Sequence, residues 1–359
     1  MKIKIGIVSA EPSGDLLGSQ IIESLKEKFS EVECIGIGGG KLAEYGLSND
    51  RKLIQVMGFI DPLLNFRKIS SFRKKLIQQF QEEKIDLFIG IDSPDFNFEI
   101  HKQLSEAGIK TAQLVCPSVW AWRPGRVKKF KFLDYMLCLF PFELAYCGNV
   151  KRKSFFVGHP LVGQEENFLN QNRENIIALL PGSRTSEIKQ NLPEILEGFK
   201  KFNNTSLYQG LIPAYDTESE TLINSLLHGY KNIQCKHVAA MEILSKSKAA
   251  VICSGTASFE ALLTETPSMV VYKTHSLNYF LLSRLVKTDF IAIPNILAKG
   301  EVFKELVQNN FTANALSEEL VHLTQNFESK NKELRRLKLD LSKPDFDSFA
   351  KYLYDDCRG

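Results

Sequence analysis

Short apolar runs recur along the first half of the chain, and each is followed by a glycine-rich or polar turn and then by a segment with helical spacing. The run at 3–10 precedes a helical pattern at 16–29, and the run at 87–91 is apolar at every position. A strand without a polar face is typical of a parallel sheet that helices cover on both sides. The alternation of strand and helix patterns therefore predicts an α/β fold with a doubly wound parallel sheet.

A polar stretch at 158–173 interrupts this rhythm, and the alternation of strands and helices restarts at Ile176. The pattern thus predicts two Rossmann-like domains, 1–165 and 166–359, of which the second ends in a charged helical tail. Sheets of this kind bind ligands beyond the carboxyl ends of their strands, so we expect a ligand-binding cleft between the two domains.

The composition is that of an ordinary globular protein, with 44% hydrophobic and 24% charged residues. A net charge of +3 gives no reason to expect nucleic acid as a partner. Basic residues nevertheless form clusters, which are either solvated faces or sites that attract phosphate and anionic lipid. These clusters lie at 67–68, 73–75, 123–131 and 151–153. Because no apolar stretch reaches about 18 residues, any membrane contact is expected to be peripheral.

The seven cysteines are odd in number and include no Cys-x-x-Cys pair. This distribution predicts buried, reduced thiols in a cytosolic protein, with neither a disulfide framework nor a zinc site. The opening apolar run is short, since Glu11 interrupts it, and it predicts a first strand rather than a signal peptide.

The segment 9–15, Ser-Ala-Glu-Pro-Ser-Gly-Asp, joins the first predicted strand to the first predicted helix. Gly14 permits a close backbone approach, and the N–H groups at a helix start can bind an anion or a sugar hydroxyl. The alternative is an ordinary helix cap made by Ser13 or Asp15. The segment lacks the Gly-x-Gly-x-x-Gly spacing, which disfavours a nicotinamide cofactor.

Asp92 follows the wholly apolar run at 87–91, within the segment Gly-Ile-Asp-Ser-Pro-Asp-Phe-Asn. A carboxylate at the carboxyl end of a strand can accept the proton of an attacking hydroxyl, so Asp92 is the candidate general base. Capping of the next helix is the alternative role for Asp92 and for Asp95, and Asp95 has the better position for it.

Both tryptophans, Trp120 and Trp122, follow the strand predicted at 110–115 and stand next to Arg123 and Arg126. Aromatic faces can bind sugar rings or acyl chains, and guanidinium groups bind phosphate. Packing in the core is the alternative role of the tryptophans.

Gly182, Ser183 and Arg184 lie between the first strand and the first helix of the second half. Backbone N–H groups at the helix start, together with the guanidinium, predict a diphosphate site. A simple turn is the alternative, although it gives no reason for the arginine.

Ser254, Gly255 and Thr256 form a second loop of this strand-to-helix kind. Glu260 follows about one turn into the helix, where a carboxylate can bind ribose hydroxyls. In the alternative interpretation, Glu260 is only a surface residue.

The apolar stretch 56–66 contains Pro62 and is followed by the basic residues at 67–68. Its poor helical period predicts a loop that contacts a membrane interface or an acyl chain. The residues expected to make that contact are Phe59, Ile60, Leu63 and Leu64. Burial in the core is the alternative.

Taken together, these segments resemble the lipid-A-disaccharide synthase family of glycosyltransferases. The matching segments follow one another in the family's order and comprise 11–15, 56–58, 91–97, 117–123, 158–159, 180–184, 254–257, 285–290 and 294–298. Pro12, Ser93 and Cys116 depart from the family's pattern, but none of these departures removes a charged group.

Helix N-termini and arginine can replace a metal at the diphosphate, so neither a metal nor a cofactor is expected. The resemblance implies an inverting transferase with the two-domain GT-B fold. Its substrates would be UDP-2,3-diacylglucosamine and the 6-hydroxyl of 2,3-diacylglucosamine 1-phosphate, and its products a β-1,6 disaccharide 1-phosphate and UDP. It also implies a peripheral position on the anionic, cytoplasmic side of the inner membrane, and it leaves open whether the chain forms a homodimer.

The motifs and the resemblance together assign roles to residues of both halves. Inversion needs a base on one side of the donor sugar and stabilisation of the departing diphosphate on the other. The expected catalytic residues are Asp92, Arg184 and Glu11. Substrate or UDP binding is expected at Ser13, Gly14, Asp15, Asn97, Trp122, Arg123, His159, Gly182, Ser183, Ser254, Gly255, Thr256, Glu260, Asn295 and Glu301.

Two other functions stay open from the sequence. One is a related two-domain UDP-sugar enzyme, such as a 2-epimerase or another transferase, which would release an epimer or free sugar from an unacylated donor. The other is a UDP-sugar- or lipid-binding protein, which would bind UDP tightly without turning over an acylated donor.

Overall fold

The computed structural model describes residues 1–50, 62–120, 123–168, 172–204, 207–253, 255–273 and 290–358, and of residues 12 and 62–66 it describes the backbone. The chain divides into two compact units. The first comprises Met1–Pro160 together with Ser342–Gly359, and the second comprises Leu161–Leu341.

The first unit contains one sheet of six parallel strands, flanked by helices. Its strands are β1 (Lys2–Ser9), β2 (Glu31–Ile37), β3 (Leu87–Ile91), β4 (Lys110–Leu114), β5 (Tyr135–Cys138) and β6 (Lys153–Phe156). Its α-helices are α1 (Pro12–Lys26), α2 (Pro62–Glu82), α3 (Pro94–Glu106) and α11 (Asp347–Asp356), and 3-10 helices span Gly40–Tyr45, Pro124–Phe132 and Pro141–Tyr146.

The second unit repeats this plan with another sheet of six parallel strands. Its strands are β7 (Ile176–Leu180), β8 (Gln209–Pro213), β9 (Ile233–Lys236), β10 (Ala249–Cys253), β11 (Ser268–Tyr272) and β12 (Lys304–Val307). Its α-helices are α4 (Thr185–Phe202), α5 (Thr217–Leu226), α6 (Ala240–Lys246), α7 (Thr256–Leu263), α8 (Ile293–Ala298), α9 (Ala313–Gln325) and α10 (Phe327–Lys338), with 3-10 helices at Gln164–Asn167 and Gln308–Asn310.

The strand order in the first sheet is β2-β1-β3-β4-β5-β6. The chain leaves β1 toward one edge of the sheet and leaves β3 toward the other, so the direction of the connections reverses between these two neighbours. Ser9 lies opposite Ile91 in the register, which brings the segments after β1 and β3 side by side. Parallel sheets bind ligands at such a topological switch point.

The second sheet has the order β12-β11-β10-β7-β8-β9, and its connections reverse between β7 and β10. Leu180 lies opposite Ile252 there, so the segments that follow these two strands also begin side by side. Each unit thus has one switch point, and the motifs singled out from the sequence follow the strands that form it.

The apolar pattern explains why these elements form. Strands β3, β7 and β10 are buried at every position, as expected for strands that are covered on both faces. Helix α4 is amphipathic, and it packs on the sheet of its unit through Ile188, Leu192, Ile195, Leu196 and Phe199. Burying a large apolar side chain of this kind contributes roughly 1.5–3 kcal/mol to folding.

The last residues of the chain return to the first unit, which corrects the predicted second domain 166–359. Helix α11 buries Phe349 and Leu353, and the ring of Phe349 contacts Tyr135 and Phe155 edge-on. The Asp356 carboxylate accepts hydrogen bonds from the Tyr135 hydroxyl and the Lys110 ammonium group, each at 2.6 Å.

Gly158 allows the returning segment to pass close to the end of the first unit. Its φ is +82°, and a Cβ at this position would lie 2.6 Å from the Ser342 carbonyl oxygen. The next residue, His159, donates its backbone N–H to that same carbonyl at 3.2 Å. The sequence contains the glycine but no signal for its contact with a segment so far along the chain.

The pattern of apolar residues does not predict β6, β9 and β12. All three strands are four residues long, lie at an edge of their sheet and are only partly buried. Short, half-exposed strands carry too few apolar residues to stand out from a loop.

The loop predicted at 56–66 is wrong for its last five residues, which belong to α2. Helix α2 begins at Pro62, a position where proline is favourable because the first helical N–H has no partner within the helix. Residues 51–61 lie outside the described residues. Among the described residues, no helix combines the length and the apolar composition that crossing a bilayer requires.

Candidate functional site

Asp92 lies directly after β3, at the switch point of the first sheet. It and Ser93 both have left-handed backbones, with φ of +50° and +40°, and so does Val115 after the neighbouring strand β4, with φ of +71°. We call these three residues the Asp92 corner. Non-glycine residues in this region cost roughly 1–3 kcal/mol each and persist only where the surroundings hold them, as functional sites often do.

Asp92 is exposed to solvent, although neighbouring protein atoms partly desolvate its carboxyl group. Burial by these atoms raises its pKa above the ordinary value, and a hydrogen bond from the Ser93 backbone N–H offsets part of that effect. A reachable carboxylate with a raised pKa can accept a proton more readily than an ordinary surface aspartate. Asp92 is not a helix cap, because the N-cap residue of α3 is Ser93.

Three buried polar side chains lie beneath the Asp92 corner. The amide of Gln113 donates to the Asp92 carbonyl oxygen at 3.0 Å, and the amide of Asn97 donates to the same oxygen at 2.9 Å. His101 pairs through Nε2 with Gln113 Oε1 at 2.9 Å. Asn97 was expected to bind substrate, but it is fully buried and contacts the backbone of Asp92 instead.

Asp95 does not cap α3 as expected. Its carboxylate accepts from Arg126 at 2.5 Å and pairs with Arg123 at 3.3 Å. The two arginines belong to the segment after β4, so Asp95 ties the start of α3 to that segment. Arg123 remains a candidate for phosphate recognition, since its side chain is 53% exposed.

The segment before α1 lies beside the Asp92 corner. Glu11 is the N-cap residue of α1 and makes no side-chain capping bond, while Ser13 is exposed in the first helical turn. A Cβ at Gly14 would lie 2.8 Å from Ser9 Oγ and 3.0 Å from Ile91 Cγ2. Gly14 therefore allows α1 to pack closely on the ends of β1 and β3.

Asp15 is buried rather than free to meet a substrate. Its exposed fraction is 2%, and its Oδ1 accepts a hydrogen bond from the Gly39 backbone N–H at 3.1 Å. The residue thus joins α1 to the turn that follows β2. It was predicted to bind substrate, and the structure gives it this connecting contact.

His159 and Trp120 pack against aromatic side chains of the first unit. The His159 ring stacks on Phe140 with centroids 5.1 Å apart, and burial lowers its pKa to about 4. Trp120 contacts Phe142 edge-on at 5.3 Å. Trp122, like Ser254, Phe59 and Ile60, lies outside the described residues, and Leu63 and Leu64 lie in the first turn of α2.

Gly182, Ser183 and Arg184 follow β7 at the second switch point, and we call them the Gly182 turn. Gly182 has φ of +110°, and Arg184 is the N-cap residue of α4 with its side chain 66% exposed. The backbone N–H groups of Ser183 and Arg184 both point at Glu187 Oε2, at 3.2 and 3.4 Å. The turn therefore already holds one carboxylate, which shows that its donors converge on a negative charge.

Gly255 and Thr256 start α7 beside the Gly182 turn. Gly255 has φ of +138°, and Thr256 is exposed at the first helical position. Glu260 is half-buried, and burial raises the pKa of its carboxyl group. Burial, with Glu260 and Glu187 adding their negative charge, raises the pKa of the half-exposed Tyr215 to about 12. These three side chains thus share one neighbourhood beyond the strands of the second sheet.

Asn295 and Glu301, both expected to bind substrate, lie elsewhere in the second unit. Asn295 is fully buried: its Oδ1 accepts from the N–H groups of Val302 and Phe303, and its Nδ2 donates to Glu305 at 2.8 Å. Glu301 is exposed and pairs with Lys304 at 3.3 Å. Asn295 consequently shapes the connection between α8 and β12.

Three of the cysteines are buried together, which the sequence did not indicate. The sulfur atoms of Cys116, Cys138 and Cys147 all lie within 4.8 Å of one another. The Cys116 thiol donates to the Pro117 carbonyl at 3.5 Å and the Cys147 thiol donates to that of Glu143 at 3.4 Å. A structural zinc site needs four ligands, and the described residues add no fourth His, Cys or carboxylate to this group.

The structure thus brings Asp92 and Glu11 to one switch point, and Arg184, Gly255 and Glu260 to the other. Sequence reasoning missed Gln113, His101, Glu187 and Tyr215. Only Gln113 carried a usable signal, as a polar side chain within the segment predicted as a strand at 110–115. The contacts of the other three depend on neighbours that are distant in the chain or one helical turn away.

Comparison with known families matches residues 5–348 to the family described as Lipid-A-disaccharide synthetase. The lipid-A-disaccharide synthase of Saccharophagus degradans is 36% identical over 332 residues, which cover 88% of this chain and 86% of that protein. That of Acinetobacter baylyi is 35% identical and covers 92% of this chain and 90% of its own length.

Solved structures with the same fold include the UDP-GlcNAc 2-epimerase from Neisseria meningitidis bound to UDP-GlcNAc. It is 12% identical, covers 100% of both chains and has a TM-score of 0.60. The glycotransferase of kitacinnamycin is 14% identical, covers 98% of both chains and has a TM-score of 0.59. These likenesses confirm the predicted fold of two Rossmann-like domains.

Proposed function

Because this chain belongs to the lipid-A-disaccharide synthetase family of glycosyltransferases, we propose that it joins UDP-2,3-diacylglucosamine to 2,3-diacylglucosamine 1-phosphate. The 6-hydroxyl of the acceptor attacks the anomeric carbon of the donor with inversion. The products are the β-1,6-linked disaccharide 1-phosphate and UDP.

The observation that carries this proposal is the Asp92 carboxyl group at the switch point of the first sheet. A sugar hydroxyl is a poor nucleophile, so its proton must pass to a base as the new bond forms. The raised pKa and the exposure of Asp92 suit that task. Glu11, the half-buried N-cap residue of α1 at the same switch point, is the next candidate carboxylate.

We assign the UDP moiety to the second unit. The Arg184 guanidinium and the N–H groups of the Gly182 turn would bind the diphosphate, with the exposed start of α7 at Gly255 and Thr256. Glu260 would accept hydrogen bonds from the ribose hydroxyls. Fixed donors of this kind stabilise the charge that develops on the departing diphosphate, so we expect no requirement for a divalent metal.

Acceptor binding is assigned to the first unit. Arg123 lies beside the start of α3 and would pair with the acceptor phosphate. The acyl chains and the basic residues at 67–75 are consistent with a site at the anionic, cytoplasmic surface of the inner membrane. A homodimer stays open as the assembly state.

The decisive experiment incubates the purified chain with both acylated sugars and follows disaccharide and UDP by mass spectrometry. Disaccharide formation that survives excess EDTA supports both the reaction and the metal-free account. If an unacylated UDP-sugar is instead epimerised or hydrolysed while the acylated pair is left untouched, the chain is a related UDP-sugar enzyme. Tight UDP binding without turnover of any donor would indicate a binding protein.

A further inference from the structure

The Asp92 corner places three left-handed, non-glycine residues at the ends of two neighbouring strands. Val115 is β-branched, and such residues rarely adopt this backbone conformation. The corner must therefore be held by contacts that favour it over ordinary extended backbone. The side-chain contacts come from β4 and α3, and the Val115 N–H also donates to the Leu137 carbonyl of β5 at 3.0 Å.

The Gln113 side chain donates to two of the three residues of the corner, Asp92 and Val115. Its Nε2 lies 3.0 Å from the carbonyl oxygens of Asp92 and Leu114 and 3.4 Å from that of Val115. One amide group thus bridges the backbone on both sides of the corner. The Asp92 carbonyl accepts from the Asn97 amide as well, so two buried donors fix the direction of this single peptide group.

His101 fixes which way the Gln113 amide faces. All three oxygens around Nε2 are acceptors, so the amide nitrogen must point at the corner and Oε1 must point away. Oε1 then accepts from His101 Nε2 at 2.9 Å, which sets the imidazole tautomer with its proton on Nε2. His101, Gln113 and Asn97 are all fully buried. Burial also lowers the pKa of His101 to about 4, so the ring is neutral near pH 7.

We propose that Gln113 is a positioning residue that aims the Asp92 carboxylate, with His101 holding the Gln113 amide in its working orientation. None of these groups needs to touch the substrate. The inference rests on the proposed role of Asp92 as the base. It predicts that loss of one buried donor slows the chemical step without weakening the binding of UDP.

The first test replaces Gln113 by methionine, which has a similar volume but no N–H donor. We expect Gln113→Met to lower kcat by about 10- to 100-fold, because displacing a catalytic group by about 1 Å can cost that much. KM for both sugars and the affinity for UDP should stay within about twofold. Gln103→Met, on α3, serves as the matched control, since the Gln103 amide donates to the neighbouring Glu99 side chain and not to the backbone of the corner in the hydrogen bonds of the described residues.

A double-mutant cycle separates positioning from general damage. If Gln113 acts through Asp92, the variant Asp92→Asn/Gln113→Met should turn over as slowly as Asp92→Asn alone. If the two effects multiply instead, Gln113 acts independently of Asp92 and the inference is wrong. It also fails if Gln113→Met keeps the kcat of the unmodified chain.

A second pair of variants guards against misfolding of Gln113→Met. His101→Leu removes the donor to Gln113, whereas His101→Gln retains one. We expect His101→Leu to lower kcat by about tenfold and His101→Gln to restore most of it. Equal activity of the two variants would contradict the role given to His101.

An activity-independent measurement distinguishes failure of this inference from failure of the proposed function. A crystal structure of Gln113→Met should show Asp92 or Val115 outside the left-handed region. An unchanged corner would overturn the inference even in an active enzyme. Conversely, the unmodified chain could form no disaccharide while the corner of Gln113→Met is relaxed. That result would support Gln113 as the residue that holds Asp92 and would count against the transferase reaction alone.

Discussion

The Asp92 corner and the Gly182 turn occupy equivalent places in the two sheets, but they are built in opposite ways. The corner forces non-glycine residues into left-handed backbone and holds them with buried side-chain amides. The turn uses Gly182, which adopts φ of +110° without strain, and presents backbone N–H groups at the start of α4. One region therefore depends on side chains beneath it, and the other depends on the absence of a side chain.

The difference is consistent with the roles proposed for the two regions. A general base needs its carboxylate oriented toward the attacking hydroxyl, and a network of buried hydrogen-bond donors can set that orientation. A diphosphate must approach the backbone closely, so the chain has to leave space for it. The corner should consequently be sensitive to the loss of a hydrogen-bond donor, and the turn to the addition of a methyl group.

The largest effect is expected at the corner itself. Asp92→Asn keeps the size of the side chain and its contacts but removes the proton acceptor. We expect kcat to fall by about 10²–10⁴-fold, while UDP affinity measured by calorimetry stays nearly unchanged. Near-normal turnover would show that Asp92 is structural and would turn attention to Glu11.

A change at the Gly182 turn should lower the affinity for UDP, which a change at the corner leaves nearly unchanged. Arg184→Ala removes a charge-assisted hydrogen bond to the diphosphate, so UDP affinity should fall by about 10- to 100-fold, along with turnover. Arg336→Ala is a suitable control, because Arg336 is an exposed arginine on α10 of the same unit. Unchanged UDP affinity in Arg184→Ala would remove the turn from the diphosphate site.

Replacing Gly182 by alanine tests whether the turn must lack a side chain there for UDP to bind. A Cβ there would lie 2.6 Å from both Cβ and Oε2 of Glu187, in addition to the backbone strain. Gly182→Ala should lose roughly 1–3 kcal/mol of unfolding free energy and weaken UDP binding. Gly229→Ala is the matched control, since Gly229 also has a positive φ, of +91°, but no atom within 4 Å of the added Cβ. If both variants bind UDP equally well, close approach at Gly182 does not matter.

The buried histidine beneath the corner makes the stability of the first unit depend on pH. His101 has a folded pKa of about 4, below its ordinary value of 6.5, so the unfolded chain binds a proton that the folded chain excludes. Its contribution is therefore present at neutral pH and is lost as the pH falls below about 6.5, by at most about 1.4 kcal/mol per pH unit. Urea unfolding at about pH 7 and about pH 5 should show a shallower loss for His101→Gln than for the unmodified chain. Parallel losses would mean that His101 does not stay neutral.

The smallest effect is expected at Asp95. The Asp95 and Arg123 side chains are 50% and 53% exposed, whereas that of Arg126 is 13% exposed. Because solvent screens the half-exposed Asp95 carboxylate, Asp95→Asn should change the melting temperature by the equivalent of about 1 kcal/mol or less. UDP affinity should not change. A loss of stability as large as that of Gly182→Ala would mean that Asp95 belongs to the corner after all.

Much of the fold follows from local pattern. The strands that are buried on both faces, such as β3, β7 and β10, are visible as short apolar runs, and their alternation with helices fixes the doubly wound arrangement. The edge strands β6, β9 and β12 are missed because each has only one fully buried position. Helix α11 has an amphipathic pattern, but nothing local shows that it packs on the first unit.

For the candidate site as well, the sequence predicts local features but not contacts between distant parts of the chain. Asp92, Gly182 and Arg184 lie between a strand and a helix, as the sequence predicts, and their catalytic and binding roles stay predictions. Asp15 and Asn295 sit in equally suggestive motifs, yet they are buried and bond to distant backbone groups. A motif shows that a residue has a fixed environment, but only the fold shows whether that environment faces a ligand or the interior.

The return of residues 342–359 to the first unit has a consequence for synthesis. These residues leave the ribosome only after the whole second unit. Tyr135 and Phe155 therefore lack their contact with Phe349 while about half of the chain is made. A nascent chain stalled before Ser342 would have all six strands of the first sheet but an exposed aromatic patch, which is a natural target for chaperones and proteases. For the same reason, residues 1–160 expressed alone should aggregate, and a synthetic peptide of residues 342–358 supplied in trans should improve their solubility.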